Sequence, residues 1–164
     1  YKRQPVANIA YQREIGVAHA RGDYILLADA DTVFQDPRTI ELMLENFKDP
    51  SVAAVTVNLA PLNPNPITRL NLWFRNLATP MFTQRACCYM FRRDMVEGDL
   101  LFTVNGHVSR LDIIPLNRRL KGRLVKDSRI TVLTDVPASE QFKTVLALAG
   151  ASLVAGYLAY TLLK

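Results

Sequence analysis

A chain of 164 residues, near half of them apolar, is long enough for one domain with a real core. The net charge of +5 suits an anionic substrate, an anionic lipid or nucleic acid, but the basic residues are not interleaved with aromatics, which excludes a nucleic-acid partner. The two cysteines, Cys87 and Cys88, are adjacent, so they make neither a zinc spacing nor a disulfide framework; they read as reduced, core-packed thiols of a cytosolic compartment.

The chain opens at Tyr1 rather than Met, and the expectation is a piece of a longer or processed protein. Residues 6–21 lack Gly and Pro apart from Gly16, and Ile9, Ile15, Val17 and Ala20 are loosely helix-spaced, which predicts a helix. After the turn at Gly22 and Asp23 comes a short apolar run, residues 24–28, which reads as a strand buried on both faces. It delivers Asp29, Ala30 and Asp31 at its carboxyl end, where ligands of open α/β sheets bind. Two carboxylates so placed are either a solvated turn or the seat of a divalent cation that also holds substrate phosphates. Asp36 and Pro37 predict an N-cap and first helical position, with a helix to about Phe47 that carries Ile40, Met43, Leu44 and Phe47 on one face. Residues 52–57 are β-branched and apolar, hence a strand. The alternation of helix and strand to this point predicts a mostly parallel α/β sheet with flanking helices.

Residues 61–66, with three prolines, read as a loop, and residues 67–77 as a helix that Thr79 and Pro80 break. Residues 86–91 predict a strand and 98–106 a loop. Pro115 places a short helix after itself, Gly122 stops it, and residues 123–125 and 130–133 read as two short strands. The last segment differs in kind. Residues 145–163 carry no charge and lie between Lys143 and Lys164; at about 1.5 Å per residue they reach roughly 28 Å, the depth of a bilayer's hydrocarbon core. The pairs Ala151/Ala155 and Ser152/Gly156 suit close helix packing, and Tyr157 and Tyr160 suit a membrane interface. The alternative is a buried core helix. The expected division is a globular domain over residues 1–137, then a linker and one transmembrane helix over 138–164. Lys126, Arg129 and Lys143 precede the segment and only Lys164 follows it, which predicts a membrane protein with its domain in the cytosol.

With these pieces placed, the chain resembles the family 2 glycosyltransferases. The stretches that carry the resemblance are Arg13, Gly16, Ala20, then Gly22-Asp23-Tyr24-Ile25 leading to Asp29-Ala30-Asp31; Asp36-Pro37 and Asp49-Pro50-Ser51-Val52-Ala53-Ala54-Val55; and Tyr89-Met90-Phe91-Arg92-Arg93-Asp94 followed by Asp112, Arg118 and Gly122. Together they span roughly residues 9–133. The resemblance implies a GT-A fold of the nucleotide-diphospho-sugar transferase type, whose first βαβ unit would lie before Tyr1. It implies a nucleotide-sugar donor, an acceptor hydroxyl on a glycan, a lipid-linked carrier or another molecule, and magnesium or manganese as cofactor. The metal would sit on Asp31. Asp29 would hold the ribose hydroxyl or a metal-bound water, and Arg13 would reach the diphosphate or serve as a salt-bridging arginine. Asp112 would be the general base of an inverting transfer, or else a helix N-terminal acid. Glu14 stands where Asn is usual and Leu111 where Glu is usual, and no Gln-x-x-Arg-Trp motif is present.

Two rival readings follow from the same residues. An apolar strand ending in Asp29-Ala30-Asp31-Thr32-Val33 also resembles the first motif of haloacid-dehalogenase-type phosphatases, with Asp29 as nucleophile and Asp31 as acid/base. The other rival is a membrane-tethered remnant that keeps the fold without activity.

Overall fold

The computed structural model describes residues 9–78, 88–98, 103–104, 107–108 and 114–139, together with 141–142, 144–145 and 147. In chain order these form α1 (Ile9–His19), β1 (Tyr24–Ala28), β2 (Val33–Phe34), α2 (Thr39–Glu45), β3 (Val52–Pro61), α3 (Pro66–Ala78), β4 (Cys88–Arg92), β5 (Thr103–Val104), β6 (His107–Val108), α4 (Ile114–Asn117) and β7 (Arg123–Thr134). Among the described residues one five-stranded sheet runs in the order β1-β4-β3-β7-β2, and β5 pairs with β6 apart from it.

The sheet is built on β3. Its residues 52–57 are buried throughout, as an unbroken apolar run requires when helices cover both faces. Ala54 faces Ile25, Leu27, Tyr89 and Phe91, and this side is closed by Val17 of α1 and Leu116 of α4. Val52, Val55 and Val57 join Cys88, Met90, Ile130 and Val132 on the other side, closed by Met43 of α2 and by Phe47. Cys88 is a buried thiol, its sulfur 3.8 Å from that of Met43, so the expectation of core packing holds for it. Cys87 lies outside the described residues.

The expectation of a mostly parallel sheet is corrected. Among the described residues only β3 and β7 pair in parallel in this sheet; β1 with β4, β3 with β4, and β2 with β7 are antiparallel. The strand–helix–strand alternation over β1, α2 and β3 does give two strands of one direction. They are not neighbours, because β4, whose first four residues are buried, fills the slot between them in the opposite sense. β1 packs unequally on its two faces: Ile25 and Leu27 join one core cluster, while Leu26 is only half-buried against the other. It is the last strand of the sheet among the described residues, and only Ile25 and Leu27 are buried in it.

Other differences are local. β7 is one strand rather than two, because a bulge carries it past the break: opposite Val57 and Asn58 the partner steps from Asp127 to Thr131. Asp127 holds this bulge, accepting from the Arg129 guanidinium at 2.7 Å, the Arg129 N–H at 3.0 Å and the Asn46 amide at 2.8 Å. Asp36 does not cap α2 directly. Its side chain accepts the Arg38 N–H at 2.8 Å and its carbonyl the Thr39 N–H at 3.0 Å, a turn that places the helix start at Thr39. α4 begins one residue before Pro115 instead of after it, and β3 runs on to Pro61. No helix among the described residues is long and apolar enough to cross a membrane. Most of the segment 145–163 lies outside the described residues.

Candidate functional site

β1, β3 and β7 run in one direction, so their carboxyl ends share one edge of the sheet. There the chain leaves β1 at Ala28 and turns through Asp29, whose carbonyl accepts the Thr32 N–H at 3.0 Å, before Val33 and Phe34 pair back onto β7. That pairing sets Val33 opposite Leu133 and brings Asp31 beside the end of β7. The Leu62 N–H donates to the Thr134 carbonyl at 2.9 Å, which ties the ends of β7 and β3 together.

The two acids of Asp29-Ala30-Asp31 meet different surroundings. Asp29 is half-buried and forms an ion pair with the mostly buried Arg13 of α1, Nη2 to Oδ1 at 2.6 Å. Its charge is therefore balanced from within the chain, by a short charge-assisted hydrogen bond. Arg13, expected on the diphosphate or in a salt bridge, is here the arginine that holds Asp29. Asp31 is exposed. Its Oδ2 accepts the Thr134 hydroxyl at 3.3 Å and the Asp135 N–H at 3.2 Å, both long bonds that orient more than they neutralise. Its Oδ1 has no hydrogen-bond partner among the described residues. Thr134 and Asp135 escape a sequence reading, because only the β2–β7 pairing brings them to Asp31; the Val33-Phe34 dipeptide ahead of Asp36 is the signal that could have found them.

This donor set suits a hard cation in one specific way. Carboxylate oxygens are the ligands of magnesium and manganese. Among the described residues no group of three or more His, Cys, Asp or Glu could enclose an ion. The arrangement thus fits a metal held by one protein carboxylate and completed by phosphate oxygens and water, the usual mode for magnesium.

Asp112, the expected base, lies outside the described residues. Arg118 is exposed after α4. Gly122 has a packing role: a Cβ there would meet the Ser51 carbonyl at 2.6 Å and the Met95 methyl at 2.7 Å. Tyr89 lies in the core beside the site's strands, donates to the Asn117 side-chain oxygen at 2.6 Å, and has its phenol pKa pushed up by burial.

A concavity of about 360 Å³ lies at the amino end of β1 and is lined by Asp23, Tyr24, Arg92, Arg93 and Asp94. Its cations are already engaged. Arg92 pairs with Asp94 at 2.8 Å, and Arg93 donates to the Ala20 carbonyl at 2.6 Å and the Gly22 carbonyl at 3.1 Å. It is far from the strand ends that carry Asp29 and Asp31, and its hydrogen bonds close the turn into β1.

A family model described as Glycosyl transferase family 2 matches residues 1–99, a span that holds Arg13, Asp29 and Asp31 and ends before Asp112. No curated protein matches the chain.

Proposed function

The chain belongs to glycosyl transferase family 2, and from that membership we propose that its sheet edge at Asp29 and Asp31 binds the nucleotide-diphosphate end of a sugar donor, for inverting transfer to an acceptor hydroxyl. The observation that supports this reading is the unequal treatment of the two acids. Arg13 neutralises Asp29, while Asp31 keeps one carboxylate oxygen open at the carboxyl ends of three co-directed strands.

In this reading Asp31 holds a magnesium or manganese ion, whose charge would offset the negative charge that grows on the departing diphosphate. The Thr134 hydroxyl and the Asp135 N–H aim the Asp31 carboxylate. Asp29, fixed by Arg13, accepts a hydrogen bond from a ribose hydroxyl or a bound water. Asp112 takes the proton of the acceptor hydroxyl as general base, and a single in-line displacement inverts the anomeric carbon. Residues 145–163 anchor the domain to a membrane with its catalytic part in the cytosol, which suits a lipid-linked acceptor. The family membership favours this chemistry over the phosphohydrolase reading of Asp29.

The test is transfer by the full-length protein from labelled nucleotide sugars, with Asp31→Asn compared against the unaltered chain across a manganese and magnesium titration. The expected result is loss of metal-stimulated transfer with the fold retained by circular dichroism. Equal activity of both proteins at every metal concentration would sink the assignment.

A further inference from the structure

Large exposed apolar side chains gather on α3 and on the residues just beyond β7. α3 buries Thr68 and Leu72 against the domain but leaves Trp73 56 %, Phe74 49 % and Leu77 66 % exposed. The two aromatic rings pack edge to face with centroids 4.9 Å apart. The chain returns alongside this helix: the Asn71 amide donates to the Thr144 hydroxyl at 2.7 Å, and the Asn65 amide to the Gln141 side chain at 3.3 Å. On that returning segment Phe142 is 63 % and Val145 42 % exposed. Single exposed apolar residues need no explanation, whereas five on two neighbouring segments mark a binding surface.

Two further observations say what covers it. Val145, one residue past the Asn71 contact, begins the uncharged run that continues to Leu163, so α3 flanks the point where that run starts. α3 itself has no Asp or Glu but carries Arg69 and Arg75. α3 therefore combines an exposed Trp, Phe and Leu stripe with arginines and no acid. A helix of that composition partitions into the headgroup region of anionic bilayers, where Trp is favoured and cations meet negative lipid.

We infer that α3 is an interfacial helix, lying on an anionic membrane surface through Trp73, Phe74 and Leu77 beside the entry of residues 145–163. It rests on the anchor reading for its orientation, and the test separates the two. Trp73 is the chain's one tryptophan, so its fluorescence reports this surface alone. The full chain is reconstituted in vesicles of phosphatidylcholine and phosphatidylglycerol whose acyl chains are brominated near the headgroup. Trp73 emission is expected to shift to the blue and to be quenched by the bromines, and the variant Phe74→Ser with Leu77→Ser, which keeps the probe, is expected to lose most of that quenching. Trp73 emission open to aqueous acrylamide and unaffected by bromolipid would overturn the inference, whatever carbonate extraction then says of the anchor. A blue shift without bromolipid quenching also overturns it, since the face is then covered by protein, either a second copy or residues 146–163. Equal quenching in vesicles of phosphatidylcholine alone overturns the anionic-lipid assignment. Bromolipid quenching in a chain that carbonate removes keeps the interfacial helix and sinks the anchor.

Discussion

Asp29 and Asp31, two positions apart just past the end of β1, meet different surroundings. Asp29 is turned back to α1 and spends its charge on Arg13, whereas Asp31 meets only a hydroxyl and an N–H from the end of β7. Thr134→Val removes the hydroxyl while keeping the shape, so donor affinity should fall roughly fivefold, the worth of one ordinary hydrogen bond of about 1 kcal/mol; calorimetric titration with a nucleoside diphosphate and manganese measures it. Asp127 is a buried acid whose charge is tied to the fold through the bulge of β7. Hydrogen bonds from the Arg129 guanidinium, then from Asn46 and the Arg129 N–H, hold its carboxyl down to about 2. A carboxyl with its folded pKa below its unfolded one adds stability above the unfolded value, and that stability is lost as pH falls through the folded value. The contribution is therefore full above about pH 4 and gone near pH 2, with a size of about 2 kcal/mol. Urea midpoints of the chain and of Asp127→Asn should differ at neutral pH and converge as pH falls through that window; a gap that stays constant across it would show that the charge is not what holds the bulge. The Asp-x-Asp pair was legible in the sequence because residue type and position at a strand end are local properties. Arg13 on Asp29, and Thr134 on Asp31, were not, since those contacts join residues 16 and 103 positions apart.

At the scale of elements, most strands and helices follow from local pattern, and the misses share one cause. β7 reads as two strands because residues 126–129 are polar, yet Asp127 and Asn46 satisfy the polar groups of a bulge that a sequence pattern cannot pair. β1 reads as a doubly covered strand from its apolar run; as the last strand of the sheet among the described residues it buries Ile25 and Leu27 on one face and half-buries Leu26 on the other. Gly122 reads as a helix stop, whereas its place is against β3, where the next residue donates its N–H to the Ser51 carbonyl at 2.8 Å. Gly122→Ala should therefore destabilise the domain by about 1–3 kcal/mol through overpacking against Ser51 and Met95, although the position is exposed. Thermal unfolding checks this, and an unchanged midpoint would show that the start of β7 yields freely. The seat of α3 rests on Asn76, whose amide accepts the Leu59 N–H at 2.9 Å and donates to the Leu59 carbonyl at 2.8 Å, standing in for a strand neighbour. Asn76→Ala leaves both backbone groups unsatisfied and should cost about 2 kcal/mol, with faster amide exchange at Leu59.

For the whole molecule, the α/β class and the family were legible because helix–strand alternation and the Asp-x-Asp turn are carried by contiguous residues. Strand order was not, since a β4 that enters antiparallel between β1 and β3 is set by pairings made across more than 30 residues. The outcome places three strand ends of one direction, and the acids between them, on a single edge, the geometry in which one open carboxylate can meet a donor's phosphates. The most direct test is the linkage between metal and nucleotide. Binding of a panel of nucleoside diphosphates to the full-length protein is measured by calorimetry with and without manganese, for the unaltered chain and for Asp31→Asn. The account predicts that manganese tightens binding of at least one nucleotide tenfold or more in the unaltered chain, a coupling of about 1.4 kcal/mol, and that Asp31→Asn abolishes this gain while leaving unfolding unchanged. Metal-independent binding, or equal metal coupling in both proteins, would contradict it.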